Sequence, residues 1–159
     1  MTQRVDLAGV MDRLAIDELV TGYALAVDDG DWAAYRALFA PGGRADYLSA
    51  GGIEGPAGEV ADWLAETMKL FPVRQHLIVN RLVRIADQGG SPGDTAQVRA
   101  YFLNPMRLAG EEPDDGAAPV TAPNFVAAGR YTFAVARTAR SGWRLSRVTV
   151  HETWRHMSF

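Results

Sequence analysis

None of the 159 residues is cysteine, which removes disulfides, thiol nucleophiles, dithiol redox pairs and sulfur-ligated zinc together. Histidine is scarce as well: there are three, His76, His151 and His156. The last two stand at an odd spacing that sends them to opposite faces of a strand, so no metal site is expected. No stretch approaches the ~20 apolar residues of a membrane span. The opening residues carry acid early and lack a signal-peptide block, so a soluble cytoplasmic protein is expected. The formal net charge is −3 and the basic residues are scattered, which leaves no field to attract a phosphate backbone; nucleic acid is not an expected partner. The Gly-rich turns follow no strand-to-helix phosphate-loop pattern, and no G-x-S-x-G elbow for a serine nucleophile occurs.

What is present is a chain that is 48% hydrophobic, enough for one core and one domain over residues 1–159. Apolar residues at Ile16, Leu19, Val20, Tyr23 and Val27 predict an amphipathic helix from Asp12 to about Val27. Asp28-Asp-Gly30-Asp31 predicts its end, Asp31 a cap for a short helix from Trp32 to Phe39, and Pro41-Gly-Gly43 a stop. A strand from Arg44 to Leu48 follows. Gly55-Pro56 predicts a third helix with its stripe at Val60, Trp63, Leu64, Met68 and Phe71. The rest reads as strands over 73–86, 97–108, about 125–138 and 143 to about 154, with hairpin turns at 87–94 and 138–142. Three helices and then a run of strands predict an α+β fold, a strongly curved antiparallel sheet whose cone is closed by the helices around an apolar pocket. The long acidic loop over 109–124 is either a flap at the pocket mouth or a plain excursion.

One trio looks like chemistry: Tyr23 and Asp28 near the end of the first helix, and His76 opening a strand, all among apolar neighbours that penalise an unpaired charge. If the helix runs straight, Asp28 lies ~140° around from Tyr23, so the two are expected to converge only where it ends or bends. A carboxylate beside a histidine fixes the ring tautomer and stabilises the imidazolium, giving an oriented general base, and a phenol can donate to a departing hydroxyl or an oxyanion. Singly, each residue has a plain alternative: a core histidine bonded to a carbonyl, a turn-capping aspartate, a core aromatic. Strand alternation puts Arg74, His76, Ile78 and Asn80 on one face, with Arg74 expected at a solvated edge.

The segments Ile16-Asp-Glu-Leu-Val-Thr-Gly-Tyr23, Asp28-Asp-Gly-Asp-Trp32, Leu38-Phe-Ala-Pro41, Gly55-Pro56, His76-Leu-Ile-Val-Asn80 and Gly142-Trp-Arg-Leu145 resemble the nuclear-transport-factor-2-like superfamily over nearly the whole length. Within it the chain resembles the SnoaL-like branch that includes scytalone dehydratase, bile-acid 7α-dehydratase and hexachlorocyclohexane dehydrochlorinase. The resemblance implies a cystatin-like α+β barrel, with Asp28, His76 and Tyr23 as catalytic residues; the dehydrochlorinase has lysine at the last position. Asn80 recurs in some relatives, and Tyr47, Tyr131 and Val148 are implied as walls, with Gly129 leaving room beside Tyr131. The dehydrochlorinase's essential final-strand arginine falls on Val148, with Arg147 on the opposite face. Other superfamily members have no catalytic role.

The expected function is therefore a cofactor-independent lyase or isomerase, a dehydratase of a cyclic hydrophobic small molecule. The alternatives are a small-molecule-binding or scaffold domain, or a polyketide-type cyclase. The exposed sheet face and the resemblance imply a homodimer or homotrimer.

Overall fold

The computed structural model describes residues 7–86, 90–110 and 116–158. Helix α1, Leu7–Asp29, buries Ile16, Leu19, Val20, Tyr23 and Val27, the stripe read from the sequence, but extends further at both ends than expected. It stops at Gly30, whose φ of +67° suits a residue without a Cβ. There the Asp31 N–H donates to the Ala26 carbonyl at 2.9 Å and the Gly30 N–H to the Val27 carbonyl at 3.3 Å. The helix thus runs unbroken through Asp28 and ends one residue later, at the break expected from Asp28-Asp-Gly30-Asp31.

Asp31 accepts from the Ala34 N–H at 2.9 Å and caps α2, Trp32–Ala37. That helix ends short of Phe39, which opens strand β1, Phe39–Asp46. Pro41, Gly42 and Gly43 lie inside the strand and do not stop a helix. The register shifts between Phe39 and Arg44, and Gly42 has a φ of +76°. A bulge absorbs a proline that has no N–H to give the ladder. A 3₁₀ turn, Leu48–Ala50, leads to β2, Glu54–Pro56. Gly55 and Pro56, expected in a helical first turn, pair instead with β1, and helix α3 runs Ala57–Thr67.

The remaining strands are β3, Val73–Arg74; β4, Leu77–Ala86; β5, Thr95–Arg107; β6, Phe125–Thr138; and β7, Gly142–Met157. Their order is β2-β1-β7-β6-β5, with β3 and β4 both on β5. All pairs are antiparallel except β1 with β7, which is parallel. The α+β architecture, with N-terminal helices and a curved sheet, is the one expected, but the sheet is mixed and open where a wholly antiparallel, barrel-like one was expected. The connection from β1 to β7 runs through α3 and the whole meander, so no hairpin dictates their relative direction.

Register shifts in β4/β5 and twice in β6/β7 bend the sheet. At one of them Ala128 opposes Trp154 while Gly129 opposes Glu152, which leaves Thr153 as the extra residue. A Cβ on Gly129 would sit 2.1 Å from the His151 carbonyl oxygen. The space Gly129 leaves is thus filled by the β7 backbone and not by a pocket beside Tyr131. The concave face buries Val98, Phe133, Val135, Leu145 and Val148 in one core with Ile16, Val20 and Val27 of α1 and Val60 and Leu64 of α3.

Candidate active site

Toward the open end of this core lies a cavity of about 260 Å³. Leu64, Met68, Phe71, Phe102, Met106 and Phe125 make it mostly apolar, and His76, Asn104, Tyr23, Tyr47 and Tyr131 supply its inner polar groups. A small number of polar groups on an apolar wall is the usual make-up of a small-molecule site.

His76 reaches the cavity because a strand is interrupted there. Arg74 opposes Met106 and Leu77 opposes Leu103, so β3 and β4 share one register on β5 and are separated only by Gln75 and His76. The His76 backbone N–H leaves the ladder and donates to Asp28 Oδ2 at 2.9 Å, while ring Nδ1 lies 2.6 Å from Asp28 Oδ1. Both side chains are largely buried, 7% exposed for His76 and 21% for Asp28. A carboxylate accepts at both contacts, so in the neutral imidazole Nδ1 carries the proton and Nε2 presents a lone pair. Nε2 has no hydrogen-bond partner among the described residues.

Asp28 stands in the last turn of α1, where the helix dipole disfavours a negative charge. Arg74 offsets this. Its Nε donates to the Val27 carbonyl at 2.9 Å, and its Nη1 to the Met68 and Phe71 carbonyls at 3.1 and 3.0 Å. The solvated edge expected for Arg74 is thus corrected: it is half-buried and clamps the ends of α1 and of the 3₁₀ turn Met68–Leu70, because free carbonyls at both ends need a donor.

The cavity also meets a tyrosine cluster. The Tyr23 and Tyr47 hydroxyls are hydrogen-bonded to each other, and the Tyr35 hydroxyl lies 3.4 Å from that of Tyr47. The Tyr23 ring packs edge-on against Tyr131 and Phe133, each with centroids 5.4 Å away. Burial pushes the Tyr23 and Tyr47 phenols well above their ordinary range. It pushes Tyr131 up to about 12, opposed by hydrogen bonding to Tyr23 and Asn104 and assisted by the Asp28 charge. All three stay protonated near neutrality and can donate to a bound oxygen.

Tyr23, Tyr47, Tyr131 and His76 line the cavity, and Asp28 stands behind the imidazole. Two residues expected on the wall are elsewhere. Asn80 has a φ of +52° in the bulge between Val79 and Leu82 and is exposed beside Leu82, Tyr101 and Arg130 outside the cavity. The bulge breaks the alternation after Ile78. Val148 is fully buried in the core opposite Phe133, and Val150 takes the wall position instead. Arg147 does face the other way, toward Asp46 and Glu54 at 3.3 Å each.

Asn104 and Arg155 were not anticipated. The sequence does carry a signal for Asn104: the buried positions of β5 run Ala96, Val98, Ala100, Phe102, Asn104, Met106, with one amide among apolar residues. Arg155, at the cavity rim, is engaged by Glu152 at 2.6 Å and by the Ala50 carbonyl at 3.0 Å. The base of the long loop is tied where Asn124 accepts from the Leu108 N–H at 2.7 Å and donates to its carbonyl at 3.2 Å. The loop over 109–124, read as either a flap or a plain excursion, lies partly outside the described residues, as does the turn at 87–94.

Residues 9–149 match the SnoaL-like domain family. Over 107 residues the chain is 34% identical to uncharacterized protein Rv2910c of Mycobacterium tuberculosis, covering 67% of this chain and 69% of that protein. Among solved structures it is similar to the Kfla4162 protein of Kribbella flavida, with 25% identity, a TM-score of 0.74 and coverage of 92% and 93% of the two chains. It also shares its fold with a hexachlorocyclohexane dehydrochlorinase, LinA type 2, at 17% identity and a TM-score of 0.69, over 94% of this chain and 93% of that one.

Proposed function

Since the chain belongs to the SnoaL-like domain family of the nuclear-transport-factor-2-like superfamily, we propose that its cavity is the active site of a cofactor-independent lyase or isomerase, a dehydratase of a cyclic, mostly apolar small molecule. The observation that carries this reading is the two-point grip of Asp28 on His76, with Nε2 left unbonded at the cavity wall. In the proposed reaction Nε2 takes a proton from carbon next to a carbonyl or an aromatic ring. The electron pair forms the new double bond, and the hydroxyl on the neighbouring carbon departs as water with a proton returned from the imidazolium. The paired Tyr23 and Tyr47 hydroxyls hold one proton beyond the one they share, and it supports the leaving or developing oxygen. If the same carbon skeleton is reprotonated before the hydroxyl leaves, the outcome is isomerisation by the same base.

The test is turnover of a panel of cyclic β-hydroxyketones, followed by the absorbance of the conjugated product. His76→Ala should lower the rate by ~10²–10⁴-fold, the usual contribution of a general base; equal rates in His76→Ala and the wild type would remove the assignment. A pocket-binding role without catalysis is the second reading, favoured by the absence, among the described residues, of a free cation at the inner wall, where Val148 is fully buried and Arg155 is held by Glu152. We also propose that the exposed sheet face around Leu77, Val79, Tyr101 and Leu103 joins a second or third copy of the chain; sedimentation as a monomer at working concentration would contradict this.

A further inference from the structure

Glu152 and Arg155 are three residues apart on β7, a spacing that puts two side chains on opposite faces of a regular strand. They share a face here because Thr153, the extra residue of the bulge against β6, reverses the alternation between them. Both line the cavity, and among its described lining residues they are the one carboxylate and the one guanidinium. Arg155 donates to both oxygens of Glu152, from Nε to Oε1 at 2.6 Å and from Nη2 to Oε2 at 3.0 Å, and from Nη2 also to the Ala50 carbonyl at 3.0 Å. The Glu152 side chain is 11% exposed and that of Arg155 40%, so neither is sealed from a molecule at the cavity rim.

We infer that Glu152 is a specificity residue: by occupying Arg155 it keeps the rim of the cavity neutral and makes uncharged molecules its ligands. The Nε–Nη2 edge of a guanidinium matches a carboxylate with two parallel bonds, and Glu152 already holds that edge. A ligand carboxylate at the rim therefore meets the charge of Glu152 beside that of Arg155, and a ligand ammonium meets Arg155 beside Glu152. Deeper in, an anion finds phenol donors but no lysine or arginine among the described lining residues, and the Asp28 carboxylate stands behind His76. An uncharged ligand meets neither difficulty, because each charge of the pair is already answered by its partner. This rests on the cavity being a small-molecule site but not on its catalysing a reaction, and Glu152 and Arg155 take no part in the acid-base pair.

The experiment is equilibrium dialysis at neutral pH with three probes on one frame: 2-naphthylmethanol, 2-naphthoate and 2-naphthylmethylammonium. The wild type should bind the alcohol at least about tenfold more tightly than either ion, a ratio typical of one hydrogen bond to a charged group. Glu152→Gln keeps the shape and an oxygen for Arg155, and the main-chain N–H of residue 152, which donates to Ser49 Oγ at 2.9 Å, is untouched. This variant should bind naphthoate at least about tenfold more tightly than the wild type does, with the alcohol unchanged. Arg155→Gln should gain by a similar factor for the ammonium and not for naphthoate. A wild type that prefers an ion, or a Glu152→Gln variant with no gain for naphthoate, overturns the proposal and leaves the cavity a binding site. Should Glu152→Gln not fold, Arg155→Gln decides: a gain for the ammonium supports the masking of one charge by the other, and no gain refutes it. Failure of all three probes to bind removes the small-molecule site and the proposal with it, whereas equal rates in His76→Ala and the wild type remove the catalytic reading alone.

Discussion

Asp28 holds His76 by its main chain and by its ring at once, with Oδ2 on the backbone N–H at 2.9 Å and Oδ1 on Nδ1 at 2.6 Å. One carboxylate therefore does two things: it replaces the ladder bond lost where β3 gives way to β4, and it fixes the orientation of the imidazole. A single contact would leave the ring free to rotate about χ2.

Asp28→Asn is expected to separate these two roles. The carboxamide oxygen can still accept from the backbone, but its NH₂ meets Nδ1 as a donor and favours the tautomer with the proton on Nε2. Turnover should fall by ~10²–10⁴-fold with little change in fold. Nitrogen NMR of the His76 ring should show the tautomer exchanged, and an unchanged tautomer would mean that Asp28 does not set it.

The buried phenols predict alkaline sensitivity. Tyr131 is raised to about 12 from the ordinary phenol value of 10.0, chiefly by burial, and Tyr23 and Tyr47 are raised in the same direction. Between the unfolded and folded values the folded state holds more protons, so stability is full below pH 10 and falls as pH rises toward 12 and beyond. Phenolate absorbance from these residues should appear together with loss of circular dichroism. Their ionisation in a still-folded protein would contradict the burial argument.

At the acid end the sign is reversed. The Arg137 Nη2 donates to Asp12 Oδ2 at 2.7 Å and the Trp143 indole to Oδ1 at 3.0 Å, and these bonds, Arg137 first, hold the carboxyl below its usual value of 3.8. Their contribution is present above that value and is lost as pH falls through the lowered folded pKa. Asp12→Asn should cost about 1–2 kcal/mol at neutral pH. The gap between the two proteins' urea midpoints should close at strongly acid pH, and a gap of constant size would show that the charge is not responsible.

Gly129→Ala should be destabilising by about 2 kcal/mol or more, since its new Cβ meets backbone, not a side chain that can turn away. Chemical denaturation of the variant measures this directly, and a cost under half that figure would mean the β7 bulge relaxes easily.

Local chemistry was legible wherever a residue acts on its near neighbours. The stripe of α1, the cap at Asp31, the turn at Gly30 and the strands over 97–108 and 125–138 all follow from spacing and side-chain type, and they appear in the structure much as read. Three residues of the expected trio were legible for a related reason: an ionisable group among apolar neighbours needs a partner, and Asp28 and His76 find each other. Bulges were not legible. Those in β4 and β7 each insert one residue and reverse which face follows, so Asn80 is outside the cavity and Gly129 is pressed against a strand.

By itself, then, the sequence determined the elements, the α+β order and the pairing of an acid with a histidine, because these depend on periodicity and on the cost of burying charge. The tertiary structure alone decided the parallel contact of β1 with β7, the recruitment of Arg74 to two chain ends, and the bulge that brings Glu152 and Arg155 to one face. Those depend on which distant backbones meet and on the register at which they do so, and no local pattern of residues encodes that.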